Sequence, residues 1–315
     1  MIKSFRFAAL PARFHSSTSS SSNSSLISGS IDQKEVEKFG DLSHEWTDEK
    51  GAFKALHSLN RLRVPWILSN VKSKKEGETP KIVDIGSGGG VLSIPLARAG
   101  LKVVGIDATK EAVESAKRTL NSRPLQVSKV AENVKFEWTS VEEFSEREEN
   151  KEHFDAVVAS EILEHVADVP NFVRSVISLA RPGGSIFFTT INKTWMSRFA
   201  AIWLAEDVLR IVPKGVHQWD KFVAPDQLAR LCEGAGCTVR AIHGFTLNPL
   251  MNSWEWVRPT QVNYALLAVK HEAKEVEILE GEALKKEFEK NAPKYVVPIQ
   301  KVDNKVVHVD NLPAV

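Results

Sequence analysis

From residue 81 onward the chain repeats one pattern: a short apolar run, then a longer amphipathic stretch, then another apolar run. KIVDI, KVVGI, VKFEW, FDAVVAS and SIFFTT are the apolar runs, with VLSIPLARAG, TKEAVESAKRTL and a segment reaching Leu179 among the stretches between them. Strands that are apolar throughout are buried on both faces, and helices between them serve as crossovers. The pattern therefore predicts an α/β domain built on a mostly parallel sheet with helices on both sides. Ahead of the sheet, Phe39, Leu42 and Trp46, then Phe53, Leu56, Leu59 and Leu62 beyond Gly51, recur at helical spacing. They predict helices over residues 32–70 that cover the sheet. The alternation breaks after the fifth strand, where residues 192–224 carry WMSRFAAIWLAEDVLRIV, an apolar helix too short to span a bilayer. PDQLARLCEGAG, CTVRAIHGF and VNYALLAVK (262–270) then resume the helix and strand sequence.

Charge balance excludes one class of partner. Lys and Arg total 41 against 40 acidic residues, so the chain lacks the dense positive field of a nucleic-acid binder. Cys232 and Cys237, the two cysteines of the chain, have no second ligand pair to complete a zinc site and read as packing residues. The two ends differ from the middle. Residues 1–30 carry Lys3, Arg6 and Arg13 but no acid, place Ile2, Phe5 and Ala9 on one helical face, and end in a serine-rich run. That is the pattern of a mitochondrial presequence followed by a linker, with cleavage expected near Arg13 to Ser16. Residues 271–315 are charged or weakly strand-like and read as an extension without chemistry of its own. The expected domain therefore runs over 31–270.

The first strand ends in VDIGSGGGVL, with Asp84, Gly86, Gly88 and Gly90 at alternate positions. Glycines here let the backbone turn sharply and a ligand approach the main chain. A dinucleotide fingerprint counted from Gly86 requires glycine at 91, and Val91 stands there, which argues against an NAD oxidoreductase. The second strand ends in Asp107, at the edge of the sheet beside the glycine loop, where a carboxylate accepts hydrogen bonds from a ribose diol. The D-x-G-x-G-x-G pattern resembles motif I of class I methyltransferases that use S-adenosylmethionine. The resemblance implies a Rossmann-like, seven-stranded, mostly parallel sheet, with Ser160 near the methionine part of the cofactor.

The fourth strand runs directly into ASEILEHV, residues 159–166. On a helix Glu161, Glu164 and His165 stand at i, i+3 and i+4 and share one face. Such a cluster holds a metal ion, moves protons, or is a solvated first helical turn favoured by the backbone dipole. FKALHSLNRLRVPWI, VDIGSGGGVLS, SEILEHV, RPGG, INKTW and VPKGVHQWDKFVAPDQL together resemble the ubiquinone-biosynthesis O-methyltransferase family, over about Val36 to Lys270. Carried over by position, the family's cofactor contacts fall on Arg63, Gly86, Asp107 and Ser160. Its divalent-metal ligands, usually taken as Mg2+, fall on Glu161, Glu164 and His165. Many members have an aromatic pair where this chain has Glu45 and Trp46.

The resemblance implies methyl transfer to catechol hydroxyls of polyprenylated intermediates, with Glu164 and His165 as catalytic groups and His217 as an alternative base. It also implies a multi-subunit coenzyme Q biosynthetic complex on the matrix side of the mitochondrial inner membrane. A carbon-methylating enzyme of the same pathway and a silent cofactor-binding subunit are the alternatives. Trp195, Phe199, Ile202, Trp203, Leu209 and Ile211, with Arg198 and Arg210, give the insertion the pattern of a lid in peripheral contact with membrane lipid, or of a helix packed on its own domain.

Overall fold

A computed structural model of the chain describes residues 29–193 and 222–272. Residues 1–28 of the presequence segment, the insertion residues Trp195 to Ile211, His217 and residues 273–315 of the C-terminal extension lie outside the described residues. Two helices come first, α1 (Gln33–Asp41) and α2 (Lys54–Asn70). Then follow β1 (Lys81–Ile85), α3 (Ser93–Arg98), β2 (Lys102–Asp107), α4 (Lys110–Leu120), α5 (Arg123–Val127), β3 (Val134–Trp138) and α6 (Val141–Glu146). The remainder is β4 (Phe154–Ser160), α7 (Val169–Leu179), β5 (Ala180–Ile191), α8 (Pro225–Gly234), β6 (Cys237–Asn248), β7 (Ser253–Val257) and β8 (Asn263–Lys270).

One sheet joins the strands in the order β3-β2-β1-β4-β5-β8-β6-β7. The first five pair in parallel; β8 pairs antiparallel with β5 and β6, and β7 antiparallel with β6. Strand order reverses between β1 and β4, and the crevice at such a switch point is where open α/β sheets bind ligands. Register makes that crevice level. Ile85 stands opposite both Ile106 and Ala159, so the glycine loop, Asp107 and Ser160 leave the sheet at one edge. Alternate residues of β1 point to opposite cores: Val83 and Ile85 pack with Phe172 and Val176 of α7, while Ile82 packs with Leu96 and Val113 of α3 and α4.

The described sheet has eight strands, which corrects the expectation of seven. SWEWV (253–257) forms a short outer strand, and β6 runs past Phe245 to Asn248 to pair with it. The sequence pattern carries β6 through Gly244 only as far as Phe245. Here glycine permits close approach, since a Cβ on Gly244 would stand 1.9 Å from the Pro259 carbonyl oxygen. Cys232 and Cys237 are buried in the core, and burial pushes their thiols up to about 12 and about 11, as expected of packing residues. Among the described residues no helix is long and apolar enough to cross a membrane.

Candidate active site

At the edge where β1, β2 and β4 end lies a cavity of about 460 Å³. Arg63, Gly86, Asp107 and Ser160 line it, and so do Glu161, Glu164 and His165. At its nucleoside end, the Gly86 and Ser87 amides both donate to the Ile106 carbonyl, at 2.9 and 3.0 Å, turning the loop tightly against β2. Gly86 has φ +73, and a Cβ there would stand 2.7 Å from Ile162 Cδ1, so two independent constraints demand glycine. Asp107 Oδ2 accepts from the Gly88 amide at 2.8 Å, and Oδ1 from the Thr109 amide at 2.8 Å. Each carboxylate oxygen keeps acceptor capacity for a diol. Burial raises the Asp107 carboxyl above its ordinary value, and the amides of Thr109 and Gly88 pull it back.

Arg63 is buried, and its guanidinium donates to Ser160 Oγ at 2.7 Å and to Asn60 Oδ1 at 2.8 Å. Two residues almost a hundred positions apart in sequence thus form one polar wall, continued by a 2.6 Å contact between Ser160 Oγ and Thr189 Oγ1. Burial lowers the Arg63 pKa, while Asp84 and Glu161 oppose that shift. Burial also pushes Asp84 up to about 6, against a hydrogen bond from Ser93 and the charge of Arg63.

The polar cluster after β4 does not form as a helical face. Glu161 has φ +56, and its amide donates to the Thr189 carbonyl at 2.8 Å. Leu163–His165 form a single 3-10 turn, and α7 begins only at Val169. A non-glycine residue in the left-handed region is strained backbone, held here by the strand end and the turn that follow one another without a linker. Glu164 is buried and accepts from Thr190 Oγ1 at 2.7 Å. Desolvation, reinforced by Glu161 and then Glu35, pushes its carboxyl up to about 8. Glu161 and Glu164 are oxygen donors in a region of surplus negative charge, the donor chemistry a hard divalent cation takes. Among the described residues, however, no three His, Cys, Asp or Glu side chains are gathered so as to hold one ion.

His165 has a different partner. Its Nδ1 lies 2.9 Å from Glu35 Oε2 on α1, and Phe39 packs edge-on against the ring at 4.9 Å. Sequence reading missed Glu35, which lies 130 positions away. A faint signal was present: Glu35, Phe39 and Leu42 occupy i, i+4 and i+7, so a carboxylate interrupts the apolar stripe of a covering helix. The chain before α1 is tied down by a bridge between Ile31 and Val166, by the Ala167 amide on the Ser30 carbonyl at 2.7 Å, and by Ser30 donating to Glu142 Oε1. Three further polar atoms were not anticipated. Trp46 Nε1, Ser87 Oγ and Glu142 Oε2 are buried without a hydrogen-bond partner among the described residues, and all three residues line the cavity. Buried polar groups are rarely left so, and the placing of all three on residues of the cavity wall fits a site that takes a polar ligand.

A parallel sheet with an antiparallel end, a glycine loop at the switch point and a carboxylate beside it define a class I S-adenosylmethionine-dependent methyltransferase. Residues 57–242 match the family model described as a methyltransferase domain. The mitochondrial ubiquinone biosynthesis O-methyltransferase of Rattus norvegicus is 40% identical over 79% of this chain and 72% of its own length. That of Homo sapiens is 38% identical over 92% of this chain and 77% of its own. The ubiquinone biosynthesis O-methyltransferase of Pelagibacter ubique is 36% identical over 77% of this chain and 99% of its own. Among solved structures, one from work on conversion of a disulfide bond into a thioacetal group in echinomycin biosynthesis shares the fold, with TM-score 0.53 and 16% identity, covering 81% of this chain and 98% of that one. The chain belongs to the ubiquinone biosynthesis O-methyltransferase family.

Proposed function

We infer that this enzyme transfers the methyl group of S-adenosylmethionine to a catechol hydroxyl of polyprenylated dihydroxybenzoate and demethylubiquinol intermediates. Family membership supports the reaction class, and the observation that carries the chemistry is the His165–Glu35 pair beside the cofactor crevice. Methyl transfer from a sulfonium is a direct displacement: the S–CH3 bond breaks as the O–CH3 bond forms, leaving S-adenosylhomocysteine and a methyl ether. The acceptor oxygen must lose its proton and stand in line with the methyl group. With Glu35 at Nδ1, the His165 ring is held in one orientation, and its Nε2 takes the catechol proton. Arg63, Gly86, Asp107 and Ser160 hold the cofactor, with Asp107 on the ribose and Ser160 toward the methionine.

In this reading Glu161 and Glu164 would hold Mg2+ through carboxylate oxygens, while His165, the third residue of the family's ligand set, is engaged by Glu35 at Nδ1 and serves as the base. When bound, the ion supplies Lewis acidity toward the catechol oxygens. His217 is the alternative base. The basic, acid-free leader and the mitochondrial relatives support a mitochondrial location, peripheral on the matrix side of the inner membrane. The family resemblance supports work within a multi-subunit coenzyme Q assembly, and the apolar insertion supports lipid contact. The test is an assay of purified protein with S-adenosylmethionine and a short-chain prenylated catechol, with and without chelator. Methyl ether formation that is lost in chelator and restored by Mg2+ supports both parts; activity unchanged by chelator removes the metal and leaves the His165–Glu35 base.

A further inference from the structure

The turn between β6 and β7 holds two large apolar side chains out in water: Leu250 is 96% exposed and Met251 76%. This turn is built. Asn248 Oδ1 accepts from the amides of Leu250 and Met251, at 3.1 and 3.2 Å. Asn252 takes the left-handed conformation at φ +46, accepts from Ser58 Oγ at 3.1 Å and donates to the Lys54 carbonyl at 3.3 Å. Trp254 Nε1 donates to the Ala55 carbonyl at 2.9 Å. The hairpin is thereby pinned to α2, and its tip is kept from folding back onto the core. The same hairpin forms part of the cavity wall through Thr246, Leu247, Pro249 and Trp254; Pro249 is itself exposed, so the wall extends to the protein surface beside the tip.

We propose that Leu250 and Met251 insert into the interfacial layer of a lipid bilayer and seat the mouth of the cavity on the membrane. Residues 241–254 contain no Asp, Glu, Lys or Arg, so nothing charged is dragged out of water when the tip enters lipid. A protein-binding patch of this size carries charged groups around its apolar centre, and the hairpin's own charged side chains, Arg240 and Glu255, stand back from the tip outside residues 241–254. Continuity with the cavity supplies the purpose: an apolar tail passes from lipid to the site without crossing water. That purpose rests on the polyprenyl substrate of the proposed function, whereas the membrane contact itself needs no substrate.

The experiment uses the full chain and sedimentation with phosphatidylcholine–phosphatidylethanolamine vesicles. The double variant Leu250→Ser, Met251→Ser loses vesicle partitioning by about tenfold or more, the scale of two buried apolar side chains. Val127→Ser, which removes another exposed apolar side chain (75%) outside the cavity, leaves it unchanged. S-adenosylmethionine affinity stays at the parent value in both, showing that they fold. A second readout uses Leu250→Cys bearing an environment-sensitive fluorophore; Cys232 and Cys237 are buried and do not compete for the label. Its emission moves to the blue on adding vesicles, and that of Val127→Cys does not. Unchanged partitioning in the double variant, or no spectral shift at position 250, overturns the proposal. Intact vesicle binding without turnover of any prenylated catechol refutes the substrate reading and leaves the membrane contact standing.

Discussion

Asp107 already receives one backbone N–H at each carboxylate oxygen, so it is fixed in place before any cofactor arrives. Asp107→Ala should weaken S-adenosylmethionine binding by about 1.5–3 kcal/mol, the scale of hydrogen bonds to a charged group. Calorimetric titration that finds the parent affinity removes Asp107 from the ribose. Glu35 acts through another residue. Glu35→Gln keeps the shape but loses the charge that orients His165, so turnover should fall roughly ten- to a hundredfold with S-adenosylmethionine affinity retained. Equal turnover in parent and variant would reduce Glu35 to packing. Asp84 makes a pH statement. Burial lifts its carboxyl from 3.8 to about 6, so the unfolded chain loses this proton first and the native state loses stability as pH rises through that window. Asp84→Asn has no such slope. Thermal melts should therefore show the variant gaining relative to the parent between about pH 4 and pH 6; a constant difference would mean Asp84 is ionised throughout.

At the scale of elements, the glycine loop and the turn after β4 lock together, because the space above Gly86 is filled by Ile162. Gly86→Ala meets both a clash and a positive φ, and should cost roughly 1–3 kcal/mol of stability. Adding Ile162→Ala should recover part of that loss, since it removes the clash and leaves the backbone strain; full recovery in denaturant melts would show the strain to be negligible. The same turn shows what a sequence can and cannot convey. β1, β2 and β4 were legible because strands buried on both faces must be apolar throughout. Glu161, Glu164 and His165 were legible as neighbours, but their geometry was not. A helical face was inferred from spacing, whereas the strand end at Ser160, the left-handed Glu161 and a 3-10 turn bring them to the cavity instead. β7 escaped notice because an outer strand with exposed Trp256 and Glu255 carries only weak burial pattern.

Over the whole molecule, the crevice is fixed by local sequence and its cover by long-range contacts. Gly86, Asp107 and Ser160 follow from strand ends that a parallel sheet must bring together. Glu35, Trp46 and Glu142 reach the cavity through the arrangement of α1, the segment after it, and α6, which no local periodicity encodes. The described fold supplies a methyl-donor crevice with a histidine held by Glu35 at one wall and an apolar hairpin beside it. Its central claim is methylation of oxygen. The direct measurement is product analysis after incubating purified protein with S-adenosylmethionine labelled in its methyl group and a short-chain prenylated catechol. The account predicts a labelled aryl methyl ether formed in equal amount with S-adenosylhomocysteine, and loss of that product in His165→Ala at unchanged cofactor affinity. Label found on ring carbon, or no transfer while the cofactor binds, would contradict it.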